Sequence, residues 1–339
     1  MRRLIPQDAA WAENLPTALT SNITATTTSG ARRQSIRQLG GLAAGLLAAG
    51  SLAPFAALAR AAAPTSAPAS AARRIVCVGG ALTEIIYGLN AASELVAVDT
   101  TSNYPDSVLK LPNVGYARAL SAEGVLALAP TQVIASEDAG PPAVLRQLTA
   151  AGVPVAIVAA NHQFEGVLER IKRIGELTGH ETQATAMMRK LQQDWARART
   201  PIEQRETQGK AKPVKVVFIL AHAPNQVMVA GKETAAHAML EYAGVSNAIA
   251  TSTGFKGYKP LTPEAMIAAQ PDIILVTEQG VKAAGGSDAI LKFPGVEQTP
   301  AGRNRRVIAM EAMLLLGFGP RLPDALSMLD SAISKAVRA

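Results

Sequence analysis

One pattern occurs twice in this chain, and it constrains the fold more than anything else in it. Residues 120–136, "LSAEGVLALAPTQVIAS", align without a gap on residues 261–277, "LTPEAMIAAQPDIILVT". In each copy a leucine precedes Ser121 or Thr262, hydroxyl side chains suited to capping a helix. Glu123 or Glu264 follows two residues later, in the first turn, where the helix dipole favours an acid. A short helix then stops before Pro130 or Pro271, and an apolar strand ensues. The period is far too long for a solenoid. The repeat therefore predicts two similarly built lobes.

The segments around the repeat support that reading. "RIVCVGG", "LVAVD", "TQVIAS" and "VPVAIVA" read as buried strands alternating with helical segments such as "ALTEIIYGLN" and "PAVLRQLTAAG". The pattern restarts at "VKVVFIL", continues through "DIILVT" and "RVIAM", and closes with a helix from about Pro320 to Val337. Between the halves lies a long amphipathic stretch, broken only between Gly175 and Gly179. The expected fold class is α/β: two Rossmann-like lobes with parallel-type sheets joined by a long spine helix. The expected boundaries are 74–162 for the N-terminal lobe, 163–200 for the spine and 212–339 for the C-terminal lobe.

The N-terminus reads as an address. Arg32, Arg33 and Arg37 open a basic region, followed by an uncharged Ala/Gly-rich run and small-residue positions suited to cleavage. Residues 1–63 are expected to be an export signal with an extended leader, and the paired arginines resemble the twin-arginine type. Residues 64–73 read as a linker. This segment also explains the charge: 1–63 carry six arginines against Asp8 and Glu13, a large part of the +7 total. The remainder holds no dense basic block with interleaved aromatics, which argues against nucleic-acid binding. Cys77 is the single cysteine, so no internal disulfide forms, and its apolar strand context makes it a small buried hydrophobe. A soluble, monomeric periplasmic product follows.

Aromatic residues make up only 4% of the chain, so each tyrosine near a loop carries weight. "VGYARALSAE" places Tyr116 and Arg118 just before the first repeat helix, and "KGYKPLTPE" places Tyr258 and Lys259 before the second. Ligands of open α/β sheets bind outside the carboxyl ends of the strands, where both phrases are expected to fall. A free phenol, with pKa about 10, is almost wholly protonated at neutral pH. A guanidinium nearby favours the anion, and a phenolate is a hard ligand for ferric haem iron. The plain alternative for Tyr116 is a rim tyrosine that only packs and hydrogen-bonds. The four histidines form no metal-ligand spacing, no Gly-x-Ser-x-Gly is present, and "VGGALTE" lacks the third glycine of a dinucleotide fingerprint. No nucleophile–base pair suggests an enzyme.

From Arg74 onward the chain resembles the periplasmic haem-binding proteins of bacterial ABC importers, in the helical-spine class shared with vitamin B12 and siderophore binders. "TEIIYGLN", "TTSNYP", "LPNVGYARALSAEGVLALAPTQVIAS", "VAGKETAAHAMLEYAG", "GYKPLTPEAM" and "RVIAM" carry the likeness, "GYAR" with "LSAEGVL" most specifically. The resemblance implies haem as the transported ligand, Tyr116 as axial iron ligand and Arg118 as its hydrogen-bond partner. It also implies that Glu123 and Glu264 dock on an inner-membrane permease; the plain reading of each is a first-turn acid, and both roles are compatible. In the second lobe, Tyr258 and Lys259 are expected to contact the porphyrin or a propionate. His222 is the candidate second-lobe ligand, with Met228 and Lys232 as weaker rim candidates. Tyr104 reads as a loop-packing residue and as the competing iron ligand. His162, His180 and His237 are assigned no haem role. The alternative ligand for the same architecture is a ferric siderophore or cobalamin. A chelatase- or nitrogenase-like enzyme of similar architecture would leave the export signal unexplained.

Overall fold

The computed structural model describes residues 73–209, 213–223 and 226–338. The export signal expected over 1–63, and all of the expected linker except Arg73, lie outside the described residues. Among the described residues no helix is long and apolar enough to cross a membrane.

The first lobe alternates strand and helix: β1 (Ile75–Val78), α1 (Gly80–Gly88), β2 (Leu95–Val98), α2 (Ala122–Leu126), β3 (Gln132–Ser136), α3 (Pro142–Ala150) and β4 (Val155–Val158). Its four strands lie in the order β2-β1-β3-β4, all parallel. All four residues of β1 are fully buried, because helices cover both faces of the sheet. That is why the strand reads as an unbroken apolar run and not as an alternating one. Cys77 sits in β1, and burial pushes its thiol pKa up to about 12.

The link between the lobes is two helices, α4 (Phe164–Thr178) and α5 (Glu181–Gln208). Gly179 separates them at φ 71°, the left-handed conformation in which glycine ends helices at no steric cost. On α4, Val167, Ile171, Ile174 and Thr178 are buried at helical spacing. The second helix runs beyond the expected end at 200, passing through Pro201. Proline supplies no backbone N–H there. Burial of Ala198 and Ile202, one turn apart on the same face, keeps the helix going.

The second lobe contains β5 (Lys215–Ala223), β6 (Gln226–Ala230), α6 (Ala235–Tyr242), β7 (Ser246–Asn247), α7 (Ala248–Thr253), β8 (Tyr258–Pro260), α8 (Pro263–Ala269) and β9 (Ile273–Thr277). It continues with α9 (Glu278–Ala284), α10 (Ser287–Leu291), α11 (Pro300–Arg303), β10 (Val307–Met310), α12 (Ala312–Leu316) and α13 (Leu322–Arg338). Its sheet has the order β10-β9-β5-β6-β8, with β7 beside β5. The core pairs β10–β9 and β9–β5 are parallel as expected, but β6 and β8 add antiparallel pairs, so the sheet is mixed. A short connection after Ala223 allows this, because a hairpin needs few residues whereas a parallel crossover needs a dozen or more.

On one face of each sheet, α1 and α13 lie against the strands and in turn pack on α4 and α5, giving a shared core that includes Ile75, Ile85, Ile171, Phe218, Leu275 and Leu326. The outer faces have their own cores, one around Val76, Val133 and Leu148, the other around Val217, Met266 and Val276. Arg205 of α5 pairs with Asp330 of α13 at the surface. Ile171 is fully buried where both lobes share it. Ile171→Ala should therefore lower unfolding free energy by about 3 kcal/mol in urea titrations. Arg173→Ala, which breaks an exposed pair with Glu176, should change it by under about 0.5 kcal/mol.

Candidate functional site

Tyr116 stands on a loop that the backbone fixes at both ends. Before it, Val114 N donates to Val98 O at 2.9 Å and Thr100 N to Gly115 O at 3.0 Å, so the segment runs beside the carboxyl end of β2. Gly115 turns the chain at φ 91°, with its N–H on the Asn113 side chain at 2.7 Å. After it, Gly140 N donates to Ala117 O at 2.8 Å and Leu120 N to Gly140 O at 2.9 Å. Ala117 and Leu120 are buried beneath this loop, whereas Tyr116 is 50% exposed. The anchors go inward, and the phenol is left presented on the rim.

Arg118 leaves the same turn and binds Asp138, which follows β3. Its Nε and Nη2 donate to Asp138 Oδ2 at 3.1 and 2.8 Å. Ser136 holds the other carboxylate oxygen at 2.6 Å. Burial alone would raise the Asp138 pKa, but the Ser136 and Arg118 hydrogen bonds and the Arg118 charge outweigh it, leaving it below the ordinary value. Sequence reasoning missed Asp138. Its signal was present in "SEDAG", an acid just past the carboxyl end of a strand on the same rim.

Both repeat helices begin as their sequence predicts. Ser121 Oγ accepts from Gly124 N, and Thr262 Oγ1 accepts from Ala265 N. Glu123 and Glu264 are exposed in these first turns. The tyrosines are not equivalent, however. Tyr116 precedes Leu120 by four residues in a loop, whereas Tyr258 precedes Leu261 by three and opens β8. Tyr258 pairs with Ala230 on the edge strand β8, level with Phe218, whose ring it meets edge-on at 6.4 Å between centroids. Burial raises its phenol pKa to about 12, so it stays protonated at neutral pH. Neighbouring residues on a strand point to opposite faces. Lys259 accordingly turns away, with its ammonium 5.7 Å from the Phe255 ring. Tyr258 and Lys259 of the second phrase thus lie on opposite faces of their strand.

His222 lies within β5 near its carboxyl end, and its side chain is outside the described ones. His180 sits at the break between α4 and α5, and His237 on α6 contacts Asn247. His162 is placed at a cavity of about 650 Å³ between the segment entering α4 and the start of α6. Asn161 and Gln163 share its wall, with Lys232, Thr234 and His237 opposite. Burial first, then the Arg170 charge, lowers the His162 pKa and keeps the imidazole neutral at neutral pH. Tyr104 packs on Arg321, whose guanidinium carbon is 4.0 Å from the ring centroid. Among the described residues no group of three His, Cys, Asp or Glu side chains is placed to hold a metal ion.

Two α/β lobes joined by a helical link, with charged and aromatic side chains on loops at the carboxyl ends of the strands, define a two-lobed solute-binding protein. The chain belongs to the periplasmic binding protein family, which residues 75–314 match. It is similar to the periplasmic heme-binding protein RhuT from Roseiflexus sp. RS-1 in apo form: 40% identity, TM-score 0.74, 78% of this chain and 99% of that one. The periplasmic heme-binding protein BhuT in complex with two hemes is 43% identical over the same shares, with TM-score 0.74. An uncharacterized ABC transporter substrate-binding lipoprotein, YvrC of Bacillus subtilis (strain 168), is 30% identical over 77% of this chain and 80% of that one.

The Arg118–Asp138 pair yields a signed expectation. A carboxylate with a depressed folded pKa adds stability above its unfolded pKa, and loses it as pH falls through the folded value. NMR titration should place the Asp138 midpoint below about 3.9, the usual carboxylate value. Arg118→Gln should move it upward, and an unmoved midpoint would rule out the pairing.

Proposed function

We propose that this chain is the haem-binding component of an ABC importer, working outside the cytoplasm with residues 1–63 as its export signal. The observation that carries this reading is Tyr116, half-exposed on a doubly anchored rim loop with Arg118 in the same turn. It supports the reading because the fold around that loop matches proteins described as heme-binding at 40–43% identity. Phenolate oxygen from Tyr116 is the ferric iron ligand. Arg118, held by Asp138, stands two residues along in the same turn as the phenol and presents hydrogen-bond donors on the same rim. His222, at the carboxyl end of β5, is the second-lobe contact. Tyr258 and Lys259 are left to packing and to the opposite sheet face.

No step of bond chemistry is required of the protein. Its tasks are to exclude water from one face of the iron, to hold a single releasable oxygen ligand and to present the loaded lobes to a permease. A siderophore site would need several cations converging on oxygen donors; Arg118 and Arg321 at this rim are each already matched by a carboxylate. Haem is thus preferred over a ferric siderophore or cobalamin.

Titrating the purified protein with haemin tests the iron ligand. A charge-transfer band of phenolate-bound high-spin ferric haem is expected, and Tyr116→Phe should abolish it and weaken binding by about tenfold or more. An unchanged spectrum in that variant would remove Tyr116 from the iron. Glu123 and Glu264 are the docking residues, each exposed on an equivalent first turn of its lobe. Glu123→Ala with Glu264→Ala should leave haemin affinity within about twofold while cutting permease-dependent uptake at least tenfold, since charge-pair contacts across an interface cost more than rim contacts. Uptake equal to wild type would return both glutamates to the role of first-turn helix acids only.

A further inference from the structure

Among the described residues only two aromatic side chains are largely exposed, Tyr104 at 47% and Tyr116 at 50%. They lie on adjacent strips of one rim. Thr100 N donates to Gly115 O at 3.0 Å, which ties the segment leading to Tyr104 to the residue before Tyr116. Large aromatic rings contribute most when buried, so two left open on neighbouring segments of one rim point to a flat partner that covers them.

Tyr104 is also backed. Arg321, from the other lobe, stacks on its ring at 4.0 Å. The guanidinium cannot swing away, because Nε donates to Glu84 Oε2 at 2.9 Å and Nη2 binds the other oxygen of the same carboxylate. Glu84 is 7% exposed in α1, and Glu311 adds a second carboxylate at 3.7 Å. The lobes approach closely here. A Cβ on Gly80 would meet Thr101 O at 2.5 Å and the Met313 methyl at 2.9 Å, and one on Gly319 would meet Glu84 Oε2 at 3.2 Å. One side of the ring is therefore held by a fixed cation of the second lobe, while nearly half of the residue's surface remains open.

We propose that Tyr104 is a stacking platform for the macrocycle plane of the ligand, beside the iron-binding oxygen of Tyr116. Arg321 and Glu84 are its positioning residues. This rests on the haem reading. It gives Tyr104 a contact that needs the ring but neither its hydroxyl nor the iron. Loss of the stacking contact together with its buried area corresponds to about a tenfold change in affinity.

The test compares haemin with metal-free protoporphyrin IX on the full-length exported protein, with dissociation constants from absorbance and fluorescence titration. Tyr104→Ala should weaken both ligands about tenfold, and Tyr104→Phe should restore both to within twofold. Tyr116→Phe should weaken haemin alone. Arg321→Met should weaken both ligands by freeing the ring. If that variant fails to fold, Arg321→Lys, which keeps charge but loses the bidentate fork, serves in its place. Wild-type affinity of Tyr104→Ala for metal-free protoporphyrin overturns the platform and leaves the haem reading standing. Loss of the charge-transfer band in Tyr104→Phe overturns it too, by making Tyr104 the iron ligand. A wild-type protein that binds neither porphyrin overturns both readings together.

Discussion

A buried guanidinium lies where three parts of the chain meet and bridges the two lobes. Arg170 of α4 is 5% exposed. Its Nη2 donates to Asn161 O at 3.3 Å, at the end of the first lobe, and to Phe318 O at 2.7 Å, in the second. Its Nε donates to Gly166 O at 3.3 Å on the helix itself. Burial draws its pKa down to about 10, with the Glu137 charge acting the other way, so it remains a cation at neutral pH. Its acceptors are carbonyl dipoles, whose geometry is set by backbone on both sides. Arg321 repeats the device on the first turns of α1, this time with Glu84 as acceptor. Rim loops mounted on such a joint are pre-arranged, and binding then costs little reorganisation.

Much of this was legible in the sequence because it is local. Ser121 and Thr262 cap the helices their pattern predicted, Gly179 stops α4, and β1 and β9 are apolar runs because both faces are covered. Tyr116 and Arg118 fall on a rim for the same reason. What escaped is non-local or too short to carry a period. Glu84 and Arg321 are 237 positions apart, and neither has a neighbour that announces the other. Only three residues form β8, too few for alternation to separate strand from loop. So Tyr258 read as a rim residue although its ring lies against Phe218. Asp138 was visible as an acid after a strand, but its guanidinium partner is chosen by the fold of two loops.

The repeat therefore describes a shared local architecture and not a shared site. In the first lobe the tyrosine phrase stayed a loop, tied down at Gly115 and Ala117 with its phenol outside. In the second it joined a sheet edge, where β8 pairs with β6 and the ring fills space beside Phe218. One residue of register separates the two outcomes: four positions before the capping leucine in one copy, three in the other. Since side chains alternate along a strand, that single step divides Tyr258 from Lys259.

The lone sulfhydryl of the chain is sealed in the first strand, and its proton is held to a pH near 12. Exchange and oxidation proceed through the thiolate, a species this site withholds at every physiological acidity. Burial thus denies a second copy of the chain any thiolate with which to form a disulfide.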